Sequence, residues 1–346
     1  MNIYGFAFIR NGVKFDFPFI ESLRSMAPIV KKTYIDVGES GDGTEESIES
    51  CGLDLEIIPT VWDDRRKDGG EIYSEYTNVP LFKMRKDLDK EVDGDAWGLY
   101  LQSDEVVHED ELELIREDLR KAEEQGCDAV RFRYIHFWLD HNRVAINKKW
   151  YPQEIRAVRI FSDVESWGDA QSFRHFKKIY DSDAHIYHYG HVRDQKAYEE
   201  KIDRQIKYYN ADIDIEKYAK KWKKKDAKTE TLPIFCDHPK VMKERFERIG
   251  GIFEQDLVDE VYIVGDISEG VKEKINANRV YIVERVREVP RESRDKMVIM
   301  KPSITEKLFY SSHVPDQMRS KLARPWTEDF KLLLKLSEKG IGFKHL

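Results

Sequence analysis

Cysteine is scarce in this 346-residue chain. Cys51, Cys127 and Cys236 stand too far apart for a disulfide framework or a zinc site. Long apolar runs are missing as well: no stretch of about 18 apolar residues occurs, so no membrane-spanning helix is expected. Met1 leads straight into IYGFAFI without a basic segment or a small-residue cleavage site, so no secretory signal is expected either. Positive charge is not in excess, with 58 Lys and Arg against 66 Asp and Glu and a net charge of -8. A nucleic-acid partner is therefore not expected, because a phosphate backbone demands a basic surface. The one basic concentration is KYAKKWKKKDAK at 217–228, where Tyr218 and Trp222 interleave with lysines. Such a run can meet anionic lipid, nucleic acid or an acidic polymer. The favoured reading is a solvated helix end, where lysines suit the carbonyl terminus. Internal repeats and low-complexity segments are absent. These absences together predict a cytoplasmic protein.

What is present is globular. Hydrophobic residues make up 40% and charged ones 36%, and 17 Tyr, 17 Phe and 7 Trp are too many for a disordered chain. At roughly 150 residues per domain, the length suggests two domains, or one large domain with an extension.

Strand and helix patterns alternate from the N-terminus. Apolar runs at 3–9, 29–37, 53–61, 97–102, 129–138, 150–161 and 184–192 read as strands. Helical spacing covers 17–26, 72–88, 109–125 and the charged stretch 194–228. Thr44 is a good N-cap, with Glu45 and Glu46 in the first turn after it. This alternation predicts an α/β domain with a largely parallel sheet over 1–240. After 240 the texture changes. Short apolar runs at 261–264, 280–283 and 297–300 and helical patterns at 317–322 and 328–338 predict a C-terminal α/β or helical extension over 258–346.

Ligands of open α/β sheets bind at the carboxyl ends of the strands. Three such ends carry polar clusters: Arg10-Asn11, Glu39 with Asp42, and Ser103-Asp104-Glu105. Asp104-Glu105 is the most informative, since an apolar strand abruptly presents two adjacent carboxylates. Burying such charge requires a cation or a partner, and Mg²⁺ or Mn²⁺ commonly takes one or two carboxylates plus substrate phosphates. Helix capping by either acid is the plainer alternative.

The run Gly38-Glu39-Ser40-Gly41-Asp42-Gly43-Thr44 resembles the nucleotide-binding loop of family 2-like glycosyltransferases, usually G-D-S-x-D-G-T. Trp97 to Glu105 resembles their W-x-L-Y-x-x-A-D-E segment, which stands where the metal-binding D-x-D motif is found. Phe8-Ile9-Arg10-Asn11-Gly12, Trp150 to Arg156, Asp169-Ala170-Gln171 and His188 to Arg193 match in the same order. The resemblance covers about residues 1–240.

It implies a GT-A fold, meaning a Rossmann-like mixed sheet flanked by helices. It also implies a UDP- or GDP-type sugar donor, a divalent Mn²⁺ or Mg²⁺ ion, a carbohydrate or glycan acceptor, and inversion at the anomeric carbon. Arg10, Asn11, Glu39 and Asp42 would then hold the nucleotide sugar, with Glu39 where relatives carry Asp. Asp104 and His188, with His185 as a further ligand, would hold the metal, although Gln102 replaces the first acid of D-x-D. Arg193 would neutralise the departing phosphate, and Asp169 would deprotonate the acceptor hydroxyl. Glu154, Arg156 and Trp150, with Tyr151, would line the acceptor side. His136 to His141 read as structural. A non-catalytic nucleotide-sugar-binding or scaffolding protein, or a nucleotidyltransferase, remains the alternative.

Overall fold

The computed structural model describes residues 1–138, 140–145, 150–193, 195–209, 229, 231–233, 238–249, 258–264, 277–283 and 298–300. The basic run at 217–228, Cys236 and the predicted helices at 317–322 and 328–338 lie outside them. The chain divides into two compact units. The first comprises Met1–Tyr134, Gln153–Lys228 and Pro239–Ile249, and the second Ile135–Pro152, Thr229–His238 and Gly250–Leu346. The hairpin region after residue 134 thus belongs with the C-terminal segment, a grouping that no single cut in the chain reproduces.

The first unit is a mixed α/β sheet flanked by helices. Strand β1 (Ile3–Ile9) pairs in parallel with β2 (Thr33–Gly38) and with β4 (Trp97–Tyr100), and β2 pairs with β3 (Leu55–Thr60). The helices α1 (Phe19–Met26), α2 (Thr44–Glu49) and α3 (Glu71–Asp87) connect these strands, followed by the single turn α4 (Lys90–Asp93). Beyond β4 the sheet turns antiparallel: β8 (Gln153–Arg159) pairs with β4 and with the start of β6 (Ala129–Trp138). Strand β5 (Glu105–Val107) pairs with β11 (Ile179–His191), and β9 (Glu165–Trp167) forms a hairpin with β10 (Ser172–Arg174). The helices α5 (Leu112–Glu124), α6 (Gln195–Tyr209) and α7 (Lys243–Ile249) complete the unit.

Local sequence explains these elements. IYGFAFI is an unbroken apolar run because β1 is buried on both faces, as parallel central strands are. Phe6 from that strand packs against Tyr100 and Phe173, with ring centroids 5.1 and 6.2 Å away. In α5, buried Ile115, Leu119 and Ala122 recur at helical spacing. Pro18 precedes α1 and delays its start to Phe19.

Two predicted boundaries shift for clear reasons. Thr44 is the first residue of α2 rather than its cap. Gly43 occupies the cap at φ 90°, and the Asp42 carboxylate accepts from Thr44 N at 3.1 Å. The helix predicted from residue 109 opens with a 3₁₀ turn, Glu109–Glu111, where His108 Nδ1 accepts from Asp110 N at 3.1 Å.

In the second unit β7 (Asp140–Ala145) pairs antiparallel with the end of β6 and with β12 (Thr231–Pro233). Trp138, Ala145 and Trp150 form a small cluster there. Strands β13 (Val258–Val264), β14 (Ala277–Val283) and β15 (Val298–Met300) make a separate parallel sheet in the order β14-β13-β15. β13 and β14 contain the predicted apolar runs at 261–264 and 280–283, and β15 covers residues 298–300 of the third. Among the described residues, no helix is long and apolar enough to cross a membrane.

Candidate functional site

A cleft of the first unit opens where β1 and β4 end. The chain emerging from β1 contributes Arg10 and Asn11, and that from β4 contributes Gln102, Ser103 and Asp104. The turn between β9 and β10 adds Asp169 and Gln171, while α6 adds Lys201, Arg204 and Tyr208. Trp62, Tyr73 and Phe8 form an aromatic wall. The segment after β4 is tied to both neighbours: Ser103 Oγ donates to Phe8 O at 2.7 Å, and Gln102 Nε2 donates to Ala170 O at 3.1 Å. The Gln102 bond ties the chain two residues before Asp104 to the residue after Asp169. Ala170 sits at φ 62° and Gly168 at φ 61°, so two left-handed residues flank Asp169 and turn the hairpin around it.

On the aromatic side, the Arg10 guanidinium grips Asp64, with Nη1 donating to Oδ1 at 2.6 Å and Nη2 to Oδ2 at 3.2 Å. Arg10 also donates to Tyr208 Oη at 3.0 Å and to Glu39 O at 3.1 Å, and lies 5.7 Å over the Trp62 ring. Arg204 pairs with the same Asp64. Burial opposes it, but these donors hold the Asp64 carboxyl well below the usual carboxylate range. Asn11 is in the left-handed region at φ 52°, and its N–H donates to Ser40 Oγ at 2.9 Å. The Glu39 side chain is exposed. The Asp42 carboxylate accepts both from Thr44 N and from Lys14 N, the latter at 2.6 Å.

Asp104 is buried and surrounded by cationic groups. Its Oδ2 lies 3.1 Å from Lys201 Nζ and 3.4 Å from Arg193 Nη2, and its Oδ1 lies 3.8 Å from His188 Nε2. Burial favours the protonated acid, yet Lys201, His188 and Arg193 outweigh it and hold Asp104 far below its ordinary value. Burial pulls the Lys201 ammonium down to about 8, helped by the Arg193 charge and opposed by Asp104. His188 is shifted downward, chiefly by its own burial. Gly190 makes this cluster sterically feasible: a Cβ there would come 2.6 Å from His188 Nε2 and 2.7 Å from Asp104 Oδ2.

Glu105 has a different environment from its neighbour. Its carboxylate accepts from Arg156 Nε and Nη2, from Tyr134 Oη at 2.7 Å and from Gln102 N at 3.0 Å. Arg156, expected on the acceptor side, is wholly buried beneath the Tyr100 and Tyr134 rings and is absent from the cleft wall. The reason is that Glu105 needs a full complement of donors once β5 buries it. Glu154 precedes Arg156 on β8, and burial pushes its carboxyl up to about 7. Trp150 belongs to the second unit, and His185 Nδ1 pairs with Glu111 at 2.9 Å rather than joining Asp104.

The surroundings of Asp104 do not suit the expected divalent ion. Such ions take several oxygens, but Gln102 has turned its amide to Ala170, Glu105 is fully bonded, and two fixed cations already face the one remaining carboxylate. Elsewhere, His108, Glu109 and Asp110 have ligand atoms within 4.8 Å of one another and could hold a metal ion.

The cleft therefore brings together Arg10, Asn11, Asp104 and Asp169, with Arg193 and His188 bonded or close behind Asp104. Sequence reasoning missed Trp62, Asp64 and the α6 face. The signal for that face was the i, i+3, i+7 spacing of Lys201, Arg204 and Tyr208, which lines one side of a helix.

No family model matches the sequence, and no curated protein matches it. Among solved structures, TarS 1–349 from S. aureus in complex with UDP is similar at 11% identity and a TM-score of 0.36, over 98% of this chain and 91% of that one. The same protein in complex with UDP-GlcNAc is 12% identical, with a TM-score of 0.36 and the same coverage. A putative nucleotide-diphospho-sugar transferase from Desulfovibrio desulfuricans G20 is 13% identical with a TM-score of 0.31, over 61% of this chain and all (100%) of that one.

Proposed function

We propose that this chain is a family 2-like glycosyltransferase of the GT-A type. It would move a sugar from a UDP- or GDP-type donor to a hydroxyl of a carbohydrate or glycan acceptor, with inversion. The observation that carries this reading is the convergence in one cleft of three segments far apart along the chain, carrying Arg10-Asn11, Asp104 and Asp169. These are residues of the motifs that resemble the family.

In this reading the aromatic wall and the Arg10–Asp64 pair receive the nucleoside, which offers a π-face and N–H and O–H donors. Asn11 lines that side of the cleft; Glu39 and Asp42, outside its lining, would reach the donor from the loop before α2, and Arg193 would act on the diphosphate as a buried charge behind Asp104. The acceptor oxygen forms a bond to the anomeric carbon as that carbon's bond to the diphosphate oxygen breaks. The electron pair leaves with the nucleoside diphosphate, and the hydroxyl proton passes to the Asp169 carboxylate. Glu154 would stand on the acceptor side. No step runs through a metal ion.

The test is product analysis with a panel of UDP- and GDP-sugars and simple glycan acceptors. Release of nucleoside diphosphate with a glycosylated product is the expected result. Pyrophosphate release instead would mean nucleotidyl transfer. Binding without any turnover would favour a scaffold that retains the fold.

A further inference from the structure

We propose that Lys201, with the buried Arg193 charge behind it, is a protein-borne cation for the departing diphosphate, and that Asp104 is the anion it exchanges for that diphosphate. This rests on the glycosyltransferase reading and names its leaving-group device.

Lys201 Nζ and Arg193 Nη2 converge on one oxygen, Asp104 Oδ2, at 3.1 and 3.4 Å. Both also lie over the Phe17 ring, with Lys201 Nζ 4.9 Å and Arg193 Cζ 4.4 Å from its centroid. The Arg193 side chain is fully buried, and its Nε has no hydrogen-bond partner among the described residues. Two cations against one carboxylate leave a surplus positive charge, with Lys201 at the cleft wall and Arg193 buried behind it. An added divalent ion would face that surplus at close range, where partial burial weakens screening. A diphosphate would instead be attracted by it. Negative charge grows on the leaving oxygen as its bond to the anomeric carbon breaks. A preorganised ammonium and guanidinium stabilise that charge without coordination chemistry.

The pair of cations also has a built geometry. Arg193 closes the segment that follows β11, and Lys201 sits within α6, so one short stretch of chain delivers both cations. Arg193 Nη1 donates to Phe15 O at 2.7 Å and Lys201 Nζ to Gly190 O at 3.4 Å, which gives each side chain a second anchor. Asp104 keeps the like charges together until a diphosphate replaces it as the partner of Lys201.

The test is isothermal titration of the full chain with UDP and GDP, and with uridine and guanosine, in EDTA and in excess Mn²⁺. One diphosphate is expected to bind in EDTA with a Kd within about threefold of its value in Mn²⁺. Lys201→Met should weaken that diphosphate about 10- to 100-fold, the loss of a charged hydrogen bond, and leave the nucleoside unchanged. Lys201→Arg, which keeps the charge, should retain binding in EDTA. Asp104→Asn should bind the diphosphate in EDTA as well as or better than wild type, because it removes a competing anion. Binding abolished by EDTA and restored by Mn²⁺ overturns the proposal, as does loss of all diphosphate binding in Asp104→Asn. The wild-type comparison decides the matter even if a variant does not fold. Silence of both diphosphates in every buffer removes the glycosyltransferase reading itself, and the role of Lys201 with it.

Discussion

Glu105 and Arg156 meet fork to fork, Nε to Oε2 and Nη2 to Oε1, both at 2.8 Å, with neither side chain exposed. The pair ties the start of β5 to β8 directly behind Asp104. Its geometry and extra donors offset the desolvation cost, but removal of one partner leaves a buried charge alone. Arg156→Met is expected to lose about 3–5 kcal/mol of stability in urea unfolding. The double variant Glu105→Gln with Arg156→Met should recover a large part of that loss. Additive losses would show that the two residues do not act as a pair.

Asp36 makes stability depend on pH. It is fully buried on β2, and burial pushes its carboxyl up to about 7, against smaller opposing effects of Thr60 and Trp62. An unfolded chain releases this proton near pH 3.9. Between those values the folded state holds a proton that the unfolded state lacks, so this contribution is complete below about pH 4 and is lost as pH rises to about 7. Asp36→Asn should therefore exceed wild type in stability at pH 8, by a few kcal/mol at about 1.4 kcal/mol per pKa unit. The gain should vanish by pH 4. Denaturant midpoints measured across that range check both statements, and a gain independent of pH would contradict them.

Gly190 is required for a steric reason. A methyl group there would strike His188 Nε2 at 2.6 Å and Asp104 Oδ2 at 2.7 Å. Gly190→Ala should cost about 1–3 kcal/mol of stability, as overpacking does, and should also weaken nucleoside diphosphate binding. Unfolding curves and titrations that match wild type would mean that the cluster has room to spare.

Asp169→Asn separates proton transfer from binding. With the turn held by Gln102, the amide should keep the loop conformation while losing the base. The expected result is a fall of about 100- to 10,000-fold in kcat for transfer, with donor affinity unchanged. An Asn variant that keeps its rate would assign the proton to another group, and Glu154 would be examined next.

The parallel strands and the polar residues at their ends were legible because an apolar run that stops abruptly marks a strand end. Arg10, Asn11 and Asp104 all stand just after such runs. Pairing was not legible. Glu105 and Asp104 are adjacent carboxylates with opposite roles, and only the fold shows that Arg156, 51 residues on, satisfies one of them. The α6 face was hidden for a related reason: charged residues dominate that helix, and helical spacing alone does not tell which charged face turns inward. Thr44 was misread as a cap because Thr suits that position, while in the fold Gly43 occupies it and the Asp42 carboxylate accepts from Thr44 N.

Amide hydrogen exchange with and without UDP and GDP tests the central claim, that the cleft is a nucleoside diphosphate site. The nucleotide that binds should slow exchange at residues 10–14, at 101–105 and in α6 together, because the β1 end, the β4 end and the helix all face it. Protection confined to other segments, with those three unchanged, would contradict the account.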